Sequence, residues 1–203
     1  MTTFTEILDF VKTQARINGT SQDARLGQAI NVVYRKVIGT DYWPFLRVPY
    51  TIAVTGGTQN YALPADYERI ASEGVSINIT GALTPSQPLE QVYPPDSELW
   101  ESFTSSYLPQ AFTIVAGSTL GLRSIRLLPQ FTAIGQTISF AYYKQPPTLA
   151  GSDVAGDPLI CDAIAYGVLA LDKDWSRDQD FANTDYNGMY RDALKAARSA
   201  NFS

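Results

Sequence analysis

The segment best equipped for chemistry is Asp172-Lys-Asp-Trp-Ser-Arg-Asp-Gln-Asp180. Asp172, Asp174 and Ser176 fall on alternate positions, which is how a calcium loop begins. The pattern then fails twice. Arg177 stands at the sixth position, where such a loop turns on Gly, and Asn183 at the twelfth, where a bidentate Glu closes the shell. The segment is expected to be a solvated loop that caps the last helix. Other reaction chemistry is poorly supplied. The chain has no histidine, which removes the commonest general base and the commonest metal ligand together. Cys161 is the only cysteine, so neither an intrachain disulfide nor a thiolate zinc site can form. Neither a dinucleotide fingerprint nor a Walker loop is present, and Gly117-Ser-Thr-Leu-Gly121 reads as a turn because no helix pattern follows it. No carboxylate pair stands out for glycoside hydrolysis. The expectation is of no catalytic residue, no cofactor and no metal: not an enzyme.

The bulk properties agree. The 203 residues suffice for one large core, or for a helical core plus a β subdomain. A net charge of −5 argues against a surface that coats nucleic acid, which needs clustered Lys and Arg. The N-terminus has no basic stretch followed by an apolar run, so no secretory signal is read there. No segment reaches the roughly 20 apolar residues that span a bilayer. A cytoplasmic origin is expected, in which Asn18-Gly-Thr20 and Asn78-Ile-Thr80 carry no meaning as glycosylation sites.

The elements follow from hydrophobic period. Thr3 and Glu6 form a capping box ahead of a stripe of Phe4, Ile7, Leu8, Val11 and Ala15. A second helix runs from about Ser21 to Gly39 with Leu26, Ile30, Val33 and Val37 on one face. Asp157 caps a third helix whose first residue is Pro158, with Ile160, Ile164, Val168, Leu171 and Trp175 as its stripe. A last helix is expected from near Asp178 or Asp180, with Ala182, Tyr186, Met189, Tyr190, Ala193 and Ala197 on its apolar side. Arg16, Arg25, Arg35 and Lys36 lie off the stripes and read as solvated.

Between these ends the apolar residues alternate with period two. Val48, Tyr50, Ile52 and Val54 lead to Gly56-Gly57 and back through Tyr61 and Leu63, which predicts a hairpin. Further strands are expected at Val75–Ile79, Ala111–Ala116, Ser124–Leu128 and Thr137–Tyr143; a loop rich in Pro, Ser and Gln leads to Leu89 and Val92, and a short helix after Pro94-Pro95 carries Leu99, Trp100 and Phe103. The chain is therefore expected to be α+β, a helical bundle built from both chain ends with an inserted antiparallel β subdomain. The expected domains are 1–46 with 152–203, and 47–151. Leu26, Ile30 and Val33 should meet Ile160, Ile164 and Val168, because each helix pair alone leaves an apolar face uncovered.

One ordered set of residues resembles a known family. Ala24-Arg-Leu-Gly-Gln-Ala-Ile-Asn31 is followed by Tyr42-Trp-Pro-Phe45 and by Tyr61-Ala-Leu-Pro-Ala-Asp-Tyr67. Tyr142-Tyr-Lys-Gln-Pro-Pro-Thr-Leu149 and Asp157-Pro-Leu-Ile160 complete it. The order is similar to that of the head-to-tail adaptor (connector) proteins of tailed bacteriophages, of the short-tailed type. The resemblance implies a structural neck protein of the virion, made in the host cytoplasm and held at the portal vertex. It implies a homo-oligomeric ring, commonly of twelve copies, bound beneath the portal protein. The ring would extend the DNA channel and attach tail or nozzle proteins. Genomic DNA would pass a neutral or acidic lumen without specific binding, and no membrane is involved. Trp43, Phe45, Trp100 and Trp175 are expected in the core, and Tyr107, Tyr143 and Phe202 at protein interfaces, where aromatic residues concentrate. The rival readings are another neck or tail-completion ring protein (a stopper) and, in a different class, a carbohydrate-binding module using exposed tyrosines.

Calcium titrated into the protein in a calorimeter should give no binding at micromolar affinity. Saturable heat that disappears in an Asp172→Asn, Asp174→Asn variant would restore the calcium loop.

Overall fold

Thr3 starts the first helix by the reciprocal bonding that its sequence allows. Its hydroxyl accepts from the Glu6 amide, and the Glu6 carboxylate accepts from the amides of Thr2 (2.6 Å) and Thr3 (3.3 Å). Those amide bonds hold the Glu6 carboxyl below its ordinary range. In the computed structural model, which describes residues 2–78, 86–93, 108–117, 121–132, 135–171 and 184–202, this helix is α1, Phe4–Gln14. Helix α2 is Asp23–Gly39, and Lys12 of α1 bonds Asp23 at its start (2.7 Å). Helix α3 is Pro158–Leu171, with Asp157 Oδ1 accepting from the Ile160 amide at 3.0 Å. Helix α4 is Tyr186–Asn201, capped by Asp185, which accepts from Gly188 N at 2.8 Å. The expected start at Asp178 or Asp180, Ala182, Trp100, Trp175, Ile79 and the helix after Pro94 lie outside the described residues.

The chain divides into two compact units, Met1–Phe45 with Pro146–Ser203, and Leu46–Gln145. Residues 146–151 go with the helical unit, where Thr5 N and Oγ1 both donate to the Gly151 carbonyl. Helix α3 is its centre. It packs on α1, α2 and α4, and its buried residues point in every direction around the axis. A helix apolar all round must be covered all round. The closest approach is at Gly167. A Cβ there would stand 2.6 Å from Val33 Cγ1 of α2 and 3.1 Å from the Tyr190 ring of α4. Cys161 is enclosed in the same layer, and burial pushes its thiol up to about 11. On α4 the core side chains are Tyr186, Leu194 and Ala197. Met189, expected on the apolar side, is 43% exposed instead, because the buried face of α4 passes through Leu194.

The second unit contains seven strands: β1 Arg47–Ala53, β2 Asn60–Ala62, β3 Tyr67–Asn78, β4 Ser86–Gln91, β5 Ala111–Ala116, β6 Arg123–Leu128 and β7 Thr137–Lys144. They form one sheet in the order β1-β7-β3-β4-β5-β6-β2. Two expectations are corrected here. β1 and β2 do not pair as a hairpin. β1 pairs with β7 and β2 with β6, at opposite ends of the strand order. Only six residues join those two ends, so the sheet curls, and both halves share one core containing Ile52, Val75, Phe112, Ile125 and Ile138. The turn is held by the Tyr61 hydroxyl, which donates toward the carbonyls of Thr55 (3.0 Å) and Thr58 (2.9 Å) and accepts from Thr55 N (2.9 Å). The sheet is also mixed rather than antiparallel. β4 and β5 run parallel at Glu90↔Ala111 and Gln91↔Phe112. The 19 residues between these strands are long enough for the crossover that parallel neighbours need. The chain is thus α+β.

Gly167→Ala should lower the free energy of urea unfolding by about 1–2 kcal/mol, because crowding against Val33 and Tyr190 outweighs the roughly 1 kcal/mol that Ala gains over Gly in a helix. Part of that loss should vanish when Val33→Ala is added in a double-mutant cycle. Equal or greater stability for Gly167→Ala alone would mean that α3 is not held this tightly.

Candidate functional site

Of the three residues expected at interfaces, Tyr107 lies outside the described residues. Phe202 follows α4 and is 48% exposed. Its ring centroid lies 5.4 Å from that of Trp43, which is fully buried and donates its indole N–H to the Val37 carbonyl at 3.2 Å. The Phe45 ring also neighbours Trp43, with centroids 6.3 Å apart. Phe45 was expected in the core but is 39% exposed, because Pro44–Leu46 forms a 3-10 turn that buries Leu46 and Trp43 and leaves Phe45 between them. The helical unit thus presents Phe45 and Phe202, each next to a buried tryptophan, and Tyr42, the residue before that tryptophan, is exposed as well. Tyr143 is half-buried. It stands opposite Arg47 and Arg69 in the two ladders of β7, and the Arg69 guanidinium lies 5.2 Å above its ring. A cation covers one face, so Tyr143 supports a neighbouring charge more than it offers an open ring. Tyr93, absent from the residues expected at interfaces, is at 64% exposed the barest aromatic among the described residues. The signal available was its place at a strand end directly before Pro94-Pro95.

The acidic segment from Asp172 to Asp180 lies outside the described residues. Among those described, no group of three His, Cys, Asp or Glu side chains is placed to hold a metal, and no helix is long and apolar enough to cross a membrane.

The residues that carry the resemblance are mostly internal clamps. Asn31 of α2 bonds reciprocally to the backbone of Leu149, 118 residues away in sequence. Its Oδ1 accepts from Leu149 N at 2.7 Å and its Nδ2 donates to Leu149 O at 3.0 Å. Asn31 thereby satisfies both backbone groups of a residue that belongs to no strand. In the β unit, Asp66 Oδ1 accepts from the Tyr142 hydroxyl at 2.9 Å, and the Asp66 carbonyl accepts from Gln145 N. Tyr67 packs on Tyr142 with centroids 5.9 Å apart. Burial first, and then the Asp66 carboxylate, push the Tyr142 hydroxyl up to about 12, so it stays a protonated donor. Asp157, besides capping α3, accepts from Asn201 Nδ2 at 2.5 Å, and Arg198 bonds Asp41 at 2.6 Å, which fastens the end of α4.

One cleft of about 760 Å³ opens in the β unit. Its walls are Tyr67 to Ile70 of β3 and Thr113 to Ala116 of β5, with Gln91, Val92 and Tyr93 at one end and Gly121, Leu122 and Arg123 at the other. The lining includes Glu68, Arg69 and Arg123. The Arg123 guanidinium donates to the Glu68 carbonyl at 3.5 Å.

No curated protein matches the chain. The family model described as SU10 adaptor protein matches residues 2–202, nearly the whole chain and both units. That span includes every residue of the ordered set above, and the clamps explain in physical terms why those positions take Asn, Asp and Tyr. The chain belongs to the SU10 adaptor protein family.

Proposed function

We propose that this phage adaptor is a structural part of the virion neck. In this reading copies of the chain close into a ring, twelve being the expected number, beneath the portal protein. The ring extends the DNA channel and gives tail or nozzle proteins their attachment surface. The observation that carries the reading is the family match over residues 2–202. An adaptor family implies a non-enzymatic, structural part.

Physical features of the chain support it. A ring needs a heterologous interface, in which one patch of a subunit meets a different patch of the next and the rotation closes. The exposed Tyr42, Phe45 and Phe202 are of the aromatic type enriched at interfaces. They lie in the helical unit, as does the ion pair of Arg198 with Asp41, the residue before Tyr42. The net charge of −5 suits a lumen past which DNA phosphates slide without Coulomb attraction. The chain would be made in the host cytoplasm and end in the particle, with genomic DNA as passing cargo and no membrane as partner.

Mixed with assembled portal, the protein should sediment with it as a complex of defined mass, even where it is a monomer alone. Phe202→Ala combined with Phe45→Ala should weaken that complex by tenfold or more while leaving the melting temperature within a few degrees. Failure to bind portal at any ratio, together with retention on a polysaccharide column, would favour the carbohydrate-binding reading. Binding to an already closed portal–adaptor ring would favour a stopper.

A further inference from the structure

The chain contains two Asn-Gly pairs, Asn18-Gly19 and Asn187-Gly188. Such a pair can react with itself. The backbone nitrogen of the glycine attacks the side-chain carbonyl carbon of the asparagine, and a glycine, having no Cβ, leaves that nitrogen unhindered. Two conditions govern the attack. The nitrogen must be free to give up its proton, and the asparagine backbone must turn until the nitrogen reaches Cγ. The fold treats the two pairs in opposite ways.

Asn187-Gly188 lies in the first turn of α4. Gly188 N donates to Asp185 Oδ1 at 2.8 Å, so this nitrogen is already engaged with a carboxylate. The same carboxylate fills the space where a Cβ of Gly188 would stand. The helix also fixes the backbone of Asn187, so ring closure requires the first turn of α4 to open.

Asn18-Gly19 lies between α1 and α2, and both residues are exposed. Among the described residues, neither Gly19 N nor the Asn18 side chain has a hydrogen-bond partner. Gly19 has a φ of +86°, and nothing stands within 4 Å of the place a Cβ would take. The backbone bonds on either side stop short of the pair. Ile17 N donates to Lys12 O at 2.9 Å, and Asp23 N to Thr20 O at 3.1 Å. Lys12 and Asp23 join the two helices directly at 2.7 Å. The Asn18 backbone can therefore turn without breaking a bond of either helix.

We infer that Asn18 is a site of spontaneous deamidation, at which the fold exposes one Asn-Gly pair and protects the other. Gly19 N loses its proton and bonds to Asn18 Cγ. The Cγ–Nδ2 bond breaks, ammonia takes up the proton and leaves, and a succinimide ring remains. Water then adds to one of the two ring carbonyls. Breaking the Cγ–N bond gives aspartate at position 18, and breaking the bond from the main-chain carbonyl carbon to that nitrogen gives isoaspartate. No electrons are transferred, and water is the only co-reactant. Either product is a carboxylate, so the net charge of −5 becomes one unit more negative. Isoaspartate also lengthens the backbone of the loop that joins α1 to α2. The inference does not rest on the neck reading.

The test is to age the whole folded protein at mildly alkaline pH, digest samples over time and follow both Asn-Gly peptides by mass spectrometry. An isoaspartyl methyltransferase marks the isoaspartate product. The Asn18 peptide should convert at least about tenfold faster than the Asn187 peptide, because only the second must first lose a cap bond and a helical turn. In urea that unfolds the chain the two rates should converge. Asn18→Gln should abolish the more acidic species seen by anion exchange and should melt with the parent. Equal rates at the two pairs in the folded protein, or an Asn18 that stays intact when folded yet converts in urea, would overturn the inference.

Discussion

Helix α3 has no polar face to give to solvent. From Ile160 to Leu169 its side chains are buried in nearly every direction, and the only acid among them, Asp162, is half-buried. Such a helix is unstable unless other elements surround it, and the chain supplies them from both of its ends: α1 and α2 from the first forty residues, and α4 from the last twenty. The hydrophobic effect sets this demand, but shape decides how it is met. Gly167 lets Val33 and Tyr190 approach the α3 backbone from two helices at once. Asn31 then fixes the chain leading into α3 by taking both backbone groups of Leu149, and Asn201 fixes the end of α4 on the cap of α3.

The β unit solves a different problem. Its sheet curls until both halves share one core, and side-chain bonds tie distant parts of it together. Tyr61 binds a turn through three backbone groups, Tyr142 takes Asp66, and Arg123 takes the Glu68 carbonyl. These residues include the most recognisable part of the family pattern, Tyr61 to Tyr67. The family resemblance therefore rests largely on groups that hold the unit together from inside.

What could be read from sequence follows from range. The capping box of Thr3 and Glu6, the Asp157-Pro158 helix start and the β5, β6 and β7 boundaries depend on neighbours a few residues apart, and they were legible. The pairing of β1 with β7 was not, because Gly56-Gly57 carries the local signature of a hairpin and nothing local reveals that Ile52 faces Ile138. The parallel step from β4 to β5 is equally invisible to period-two alternation. At the surface, Phe202 was legible as exposed, Phe45 was not, and Tyr143 is shielded by Arg69 of β3, which is remote from it in sequence. The family was legible because an ordered set of short motifs survives uncertainty about how they pair.

Both chain ends must close around α3 as one body. Hydrogen exchange across a urea titration measures this directly. Amides of α2 from Leu26 to Ile38 and of α3 from Ile160 to Leu169 should open in a single event, with one free energy and one dependence on urea. Exchange of α3 and α4 at a urea concentration where α2 is still fully protected would contradict the account.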